Sequence, residues 1–528
     1  MSATRLRMRP RHLIGAGALA LAQMASAGTE PYFHPLIQST AVATPNHINE
    51  LNSPWQVPAG ITQKNLMSMA EVEADVEQSL QRVMAGRNSS MFDMVAYDDS
   101  GRYIFIPHET PFGAGVSRYD TIEDTTHLLM AGDQESAVND LCDADPEEPR
   151  DPTEACPAWD NDYAAFDPAR YTPNGTVWLG EEWSGLGRIV EVMNPLAHPD
   201  DIEFRVLESI ANVSHEGISF SQTRRGYNRV VYYVDEWNSG SIYKFVARRR
   251  GDYTEGQTFV LVVDEYFGDP TANWNEDANA GQPRTGAATW VPITNRRGEP
   301  LTQISPFRDG PTNDPRSNDD TRGGRPAADE VGGTPYGRPE DTEISVLANG
   351  NEVVYFTATS EHSVYAVEML PGRRGRQAIV HKFAGPETPT NVGFEPTTGT
   401  LSSPDNLAID HYGNIFIIED KPNNDAVGGD IWFGRDLDND GVAESIDHFL
   451  SIQVDGAEAT GMIFHPTDPN RFVVAVQHPD STDIDRDADE DGVADFECAQ
   501  ATPHACQGDA LWEFDITKAV EPRRRDRR

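Results

Sequence analysis

From about residue 89 onward, short apolar runs alternate with turns rich in Gly, Asp and Asn, the pattern of short strands. A loose unit recurs: an apolar strand, a D-x-x-G-N-like turn, a second apolar strand, a polar loop, and a strand of the form "xIYKF". Its instances open at "FDMVAYDDSGRYIFIPHET", "AAFDP", "HEGISFSQTRRGYNRVVYYVDE", "TEISVLANGNEVVYFTATS", "NLAIDHYGNIFIIED" and "GMIFHPTDPNRFVVAVQHP". Sheets that cannot bury their faces alone bury them by packing around an axis. The repeat therefore predicts an all-β fold, a six-bladed β-propeller over residues 89–516, with long inserted loops at 121–165, 247–339 and 481–508. A β-sandwich is the alternative that six similar units disfavour. Ahead of the repeat, "NLMSMAEVEADVEQSLQRVMAG" sets Leu66, Met69, Val72, Val76, Leu80 and Val83 at helical spacing. That predicts one short amphipathic helix within an otherwise irregular N-terminal segment, 28–88.

Four units carry an acid at the same step into a strand: "SHEGISF", "GRPEDTEIS", "SPDNLAID" and "GAEATGMIF". In a propeller, equivalent positions fall at equivalent places around the axis. Glu216, Glu340, Asp405 with Asn406, and Glu458 are thus expected to converge at the mouth of the central channel. Carboxylates crowded into one dry space repel one another and raise each other's pKa, and a bound cation resolves the conflict. Hard oxygen donors suit Ca²⁺. A second ring follows the second strand of several units: His108–Glu109, Glu181–Glu182, Asp235–Glu236, Glu419–Asp420 and Gln477–His478. From it, Glu181 and Glu182 join the candidate ligands. Separately, "DLDNDGVAESID" sets Asp436, Asp438, Asp440 and Asp447 at positions 1, 3, 5 and 12 of an EF-hand-type loop. "DADEDGVADFEC" repeats its core with Asp487, Asp489 and Asp491. Both read as structural Ca²⁺ loops, because alternating Asp wraps oxygen around one ion and the Gly makes the sharp turn.

Charge narrows the partners. With 85 Asp+Glu against 42 Lys+Arg and a net charge of −43, the chain would repel a nucleic-acid backbone. The beginning, "RLRMRPRH", then "LIGAGALALA", then "ASA", has the order of a removable export signal, residues 1–27. Its apolar run is too short to span a membrane, and no other stretch is apolar enough. A secreted or periplasmic protein is expected. In that setting Cys142, Cys156, Cys498 and Cys506 read as two local disulfides, Cys142–Cys156 and Cys498–Cys506. The basic end, 517–528, reads as a tail. There is no G-x-S-x-G elbow, no H-E-x-x-H helix and no Walker A motif.

The blocks "HEGI…VVYYVDE…GSIYKF", "GRPED", "SPDNLAID" and "GAEATGMIFHP…VAVQHP" resemble those of the PhoX-type alkaline phosphatases, in that family's order, over roughly residues 85–515. The resemblance implies an exported six-bladed propeller that holds an iron–calcium cluster and hydrolyses phosphomonoesters. It implies metal-ligand roles for Glu216, Glu340 and Glu458 and a phosphate-facing role for Arg338, and makes Arg338 and Glu340 the candidate catalytic residues. One departure counts against iron. The family's "TPWGT…CEE" block reads "TPNGTVWLGEE" here, so Gly180 stands where the iron-binding Cys is expected and Asn174 where the Trp is. A glycine offers no soft ligand. The sequence thus predicts a calcium-dependent phosphoric-ester hydrolase acting on a small molecule. A calcium-dependent lactonase or esterase, and a non-catalytic calcium-stabilised binding protein, are the alternatives. Oligomeric state is not legible in it.

Overall fold

The computed structural model describes residues 31–39, 55–68, 92–110, 113–133, 161–182, 185–266, 282–308, 321–372, 375–420, 429–453, 457–477 and 509–520, with short pieces at 72, 83–84, 87–88 and 159. The expected export signal, all four cysteines with their disulfides, the second acidic loop (Asp487, Asp489, Asp491) and most of the basic tail lie outside the described residues.

The chain is all-β, and each repeat folds as an antiparallel meander. The first runs Ala96–Tyr97, Tyr103–His108, Gly115–Asp120, Thr125–Ala131. The second runs Phe166–Tyr171, Val177–Glu181, Ile189–Val192, Phe204–Val206. Their sequences are rich in Val, Ile, Phe and Tyr, which pack well on a pleated surface. They read as near-continuous apolar runs because both faces are covered; Val230–Asp235, "VVYYVD", is buried at every position but the first. The core lies between neighbouring sheets. One such layer stacks Phe416, Phe433, Phe449, Phe464, Phe472 and Phe514, all buried. The innermost strands Phe166–Tyr171, His215–Phe220, Pro339–Val346, Pro404–Ile409 and Glu458–Phe464 pack successively against one another. The sheets thus stand in a propeller-like arrangement.

Among the described residues six separate blades do not form. Four sheets of four or five strands stand alone, and the third and fourth units are fused into one nine-stranded sheet. The seam is Gly286–Pro292, which pairs with Asp252–Val263 on one side and Gln377–Ala384 on the other. The segment 247–339 is therefore not simply a loop. It supplies this seam and a short helix, Gly324–Glu330. Its "GAATWVP" run satisfies two sheet edges that would otherwise lie unpaired. Likewise, 121–165 contributes the strand Thr125–Ala131.

Of the stretch expected as an N-terminal helix, Val72 is helical, while Leu66 lies in a strand. Thr62–Ser68 is a strand paired with the C-terminal strand Ala510–Asp515, so the two ends of the chain close the last sheet. Val83–Met84 pairs with Arg87–Asn88, and most of 69–82 lies outside the described residues. At Leu66 the hydrogen bonds that an open final strand offers outweigh the helical spacing. Within the closing sheet, Phe514 stacks on Phe472 at 4.8 Å and meets Trp55 edge-on at 5.6 Å. Phe514→Ala is expected to cost about 3–5 kcal/mol. Ile122→Ala, at a position 68% exposed, should change stability by under ~0.5 kcal/mol. Urea unfolding of the two variants checks the difference.

Candidate metal centre

The acids reach one place through a repeated backbone device. In four innermost strands the register slips by one residue just at the acid: Asp167–Pro168 lie opposite Gly180, Glu216–Gly217 opposite Val234, Glu340–Asp341 opposite Thr357, and Asp405–Asn406 opposite Ile418. A bulge re-aims side chains where a strand ends. The first bulge residue faces the central cleft in every case. The second reaches toward the next sheet where it can. Asp341 accepts the backbone N–H of Leu407 at 3.0 Å, and Asn406 accepts that of Gly461 at 2.9 Å. In three units the residue two before the acid has positive φ: Ala165 (43°), Arg338 (50°) and Ser403 (46°). Non-glycine residues adopt that region rarely, and here it turns the chain into the bulge.

The second ring is tied to the first by the main chain. The carbonyls of Ala165, Ser214 and Ser403 accept the N–H groups of Glu182, Glu236 and Asp420. Successive strand side chains point to opposite faces, so only one member of each acidic doublet can face the cleft. In three of the four doublets within the described residues the second member, Glu109, Glu182 or Asp420, lines the cleft, and Glu236 instead bonds Arg338; the first member is buried inside the sheet and satisfied there. Arg188 grips Glu181 through Nε and Nη2, both at 2.6 Å. Arg325 grips Asp235 at 2.8 and 2.7 Å. His108 bonds Ser117 Oγ at 2.7 Å, and Glu419 accepts from Trp432 Nε1 at 2.9 Å. The expectation that Glu181 is a ligand is therefore corrected, and Glu182 takes the position facing the cleft.

The result is a cleft of about 170 Å³ lined by nine carboxylates and one arginine. Two groups of three come within 4.8 Å of one another: Asp93, Glu109 and Asp167, and Glu216, Glu340 and Asp405. Glu182, Asp420 and Glu458 complete the wall, with Gln477 and Thr460. Asp93 is held by Gln477 Nε2 at 3.0 Å, by Asn406 Nδ2 at 3.3 Å and by the Thr460 hydroxyl. Both oxygens of Asp167, Oε2 of Glu216 and Oε1 of Glu340 are buried without a hydrogen-bond donor. Arg338 Nε bonds Glu236 at 2.5 Å and lies 3.2 Å from Glu340 Oε1 without the alignment of a hydrogen bond. The crowd shifts titration as electrostatics requires. Burial first, then neighbouring carboxylates, pushes Glu340 up to about 7 and Glu109 to about 8. Asp93 is pushed up to about 6 chiefly by burial. Asp167, Glu182, Glu216, Asp405 and Glu458 are raised well above their usual range for the same cause.

Several sequence expectations fall elsewhere. Asn406 is not in the wall but braces Asp93 and the last sheet. Asp447 cannot close the EF-hand-type loop. Its strand, Ser445–Ile452, has already begun, and Arg435 holds it at 2.6 and 3.0 Å. Asp440 accepts the N–H of Val442, while Asp436, Asp438 and Glu444 form a third close carboxylate group, partly exposed. Gly180 does not line the cleft. A Cβ there would lie 2.8 Å from both Pro168 Cγ and His215 Cβ, because Gly180 sits opposite the Asp167 bulge. Asn174 lies in the outer hairpin turn, bonded to the carbonyl of Gly251 at 3.0 Å. Sequence reasoning missed Asp93 and Asp167, although "FD" opens both "FDMV" and "FDPA" at the same step as the other four acids.

No curated protein matches the chain. Among solved structures it is similar to Pseudomonas fluorescens PhoX in complex with vanadate, a transition state analogue, with 13% identity over 93% of this chain and 99% of that one, TM-score 0.55. At that identity the likeness shows the fold. A gluconolactonase from Xanthomonas campestris is similar at 8% identity over 92% of this chain and 99% of that one, but its TM-score of 0.33 carries no functional weight. The family model described as alkaline phosphatase PhoX matches residues 148–480, more than half of the chain and most of the strands that build the cleft, and the chain belongs to that family.

Proposed function

We propose that the protein is an exported phosphoric-ester hydrolase that works with divalent cations, calcium foremost, held in the nine-carboxylate cleft. The observation that carries this is the set of buried carboxylate oxygens with no donor, on Asp167, Glu216 and Glu340, facing one small space. A polar atom buried without a partner is costly, and cations satisfy several at once. The donors are all oxygens; among the described residues no thiolate or imidazole lines the cleft. Hard donors of this kind favour Ca²⁺ or Mg²⁺ over a softer metal. Glu216, Glu340 and Asp405 would hold one ion and Asp93, Glu109 and Asp167 another, with the two halves of the nine-stranded sheet serving as two of six units around them. When bound, the cations supply charge neutralisation and polarisation of phosphoryl oxygens.

The chain's own part is recognition and placement. Arg338 is held protonated, first by Glu340. It is 39% exposed at the cleft, and its terminal nitrogens are not taken up by a close partner. A planar fork in that position suits the oxygens of a phosphoryl group. Glu340 faces the cation position and Arg338 together, so one carboxylate fixes the distance between them.

Hydrolysis of p-nitrophenyl phosphate by purified protein, lost with EGTA and restored by Ca²⁺, is the direct test. Arg338→Ala should lower kcat/KM by on the order of a hundredfold. Hydrolysis of lactones alone, or of neither substrate, would replace the phosphatase reading with a lactonase or a binding protein.

Two further outcomes separate site from scaffold. Glu340→Gln should weaken calcium binding, measured by titration calorimetry. Glu181→Gln should leave calcium binding intact but destabilise the fold by about 3–5 kcal/mol, because it strands the buried Arg188. Protons should also substitute for metal. A carboxyl whose folded pKa is raised binds its proton more tightly in the folded state. That stability is complete at or below the ordinary carboxylate pKa of about 4 and is lost as pH rises through the folded values. Those values are about 6, 7 and 8 for Asp93, Glu340 and Glu109. Chelator-treated protein should melt higher near pH 5 than near pH 8, and calcium should restore the pH 8 melt. A metal-free melt independent of pH over that span would contradict it.

A further inference from the structure

The chain is strongly acidic, yet four arginine-rich turns, "TRRGYN", "RRRGD", "NRRGEP" and "GRRGRQ", all come from the nine-stranded sheet. Their described residues meet around one groove of about 1250 Å³, lined by seven cationic residues and a single carboxylate, Glu352. The carboxylate is already engaged. It accepts from Ser221 Oγ at 2.7 Å, from the N–H of Gln222 at 2.9 Å and from Tyr232 OH at 3.2 Å. Arg224, Arg225 and Arg296 are exposed, and among the described residues none has an ion-pair partner. Arg376 lies over the ring of Phe259 at 5.5 Å. Lys244 is only 8% exposed, packs against the rings of Tyr232 and Trp290, and uses one of its three donors, on the carbonyl of Gly375 at 2.9 Å. Burying a cation is costly, and burial pushes Lys244 down to about 8 against the pull of Glu352.

The groove is separate from the acidic cleft. The innermost strands that begin at Glu216 and Glu340 run out to Ser221 and Val346 on the groove wall. At ~3.3 Å per residue that is roughly 16–20 Å, beyond the ~8 Å over which exposed charges act at physiological salt.

We propose that this groove binds an acidic polysaccharide, a chain of sugars bearing carboxylate or sulfate groups. Its volume far exceeds one small anion, and arginine forks set along a trough suit anions repeated along a polymer. Amides also line it: Gln257 and Asn351 spend an N–H on Thr294 and Glu368, which leaves their oxygens, with the Gln222 amide, to accept from sugar hydroxyls. A nucleic-acid strand would need open aromatic faces for its bases, but the aromatic lining residues, Tyr232 and Phe259, are buried. A bare polyphosphate has no hydroxyl to donate to those amide oxygens. The proposal stands whether or not the cleft is a phosphatase site.

The test uses the full chain and a fluorescein-labelled oligogalacturonate read by anisotropy, with dextran as the neutral control. The parent should bind the oligogalacturonate and not dextran, with affinity falling as salt rises. The combined variant Arg224→Gln, Arg225→Gln, Arg296→Gln, Arg376→Gln should bind on the order of tenfold more weakly or worse. Its hydrolysis of p-nitrophenyl phosphate should match the parent's. If that variant melts early, Arg296→Glu alone, at an exposed turn, should still weaken binding. Glu340→Gln should bind the sugar normally, and loss there would move the interaction to the cleft and overturn the groove. Absence of binding, equal binding by the arginine variants, or tighter binding of charge-matched polyphosphate or oligothymidylate would also overturn it.

Discussion

Nine carboxylates facing about 170 Å³ of space are the constraint on which the structure turns. Each inner strand begins at that point, so the fold cannot assemble without bringing the charges together. The chain compensates only part of the repulsion itself. Arg338 stands against Glu236 and Glu340, and a hydrogen-bonded web of Gln477, Thr460 and Asn406 holds Asp93. Asp167 has neither aid. Whatever fills the cleft, cations or protons, is therefore linked to folding as well as to chemistry. Closure of the last sheet by Thr62–Ser68 completes the wall that carries Glu458 and Gln477.

The sequence showed the repeat and four of the acids, because strand-and-turn punctuation and a step repeated in register are local properties. It did not show which member of each doublet faces inward. That follows from alternation once the strand ends are known: Val177–Glu181 ends inside the sheet at Glu181, so Glu182 faces the cleft. Asp93 and Asp167 were legible in principle. Each follows a Phe at the opening of a unit, where the eye reads the apolar residue as the start of a strand. The fusion of the third and fourth units was not legible. "GAATWVP" lies in a long polar insertion, and only the two free edges on either side of it make it a strand. Likewise, Leu66 stands at helical spacing to Val72, which is helical, yet the open edge of Ala510–Asp515 takes Leu66 into the strand Thr62–Ser68.

The bulges give Gly180 a structural reason that the family comparison alone does not. Two residues, Asp167 and Pro168, face it across the strand pair, and the innermost strand of the next unit presses from the other side at His215. A side chain at 180 collides with both. The absence of a thiol there is thus coupled to how Asp167 is aimed, and restoring a cysteine would disturb the carboxylate it was meant to assist. In this chain the oxygen donors of the cleft and the missing sulfur are one arrangement.

The same inner strands give the molecule two unlike ends. At their starts, bulges gather carboxylates around a small cleft. At their far ends, in the fused sheet, turns that need no burial carry arginine. Against a net charge of −43 the second end stands out, and it lies where the seam strand Gly286–Pro292 joins the two units. Fusion of two units therefore does more than remove two sheet edges. It brings turns of both units to one groove, whose charge is opposite in sign to the net charge of the protein.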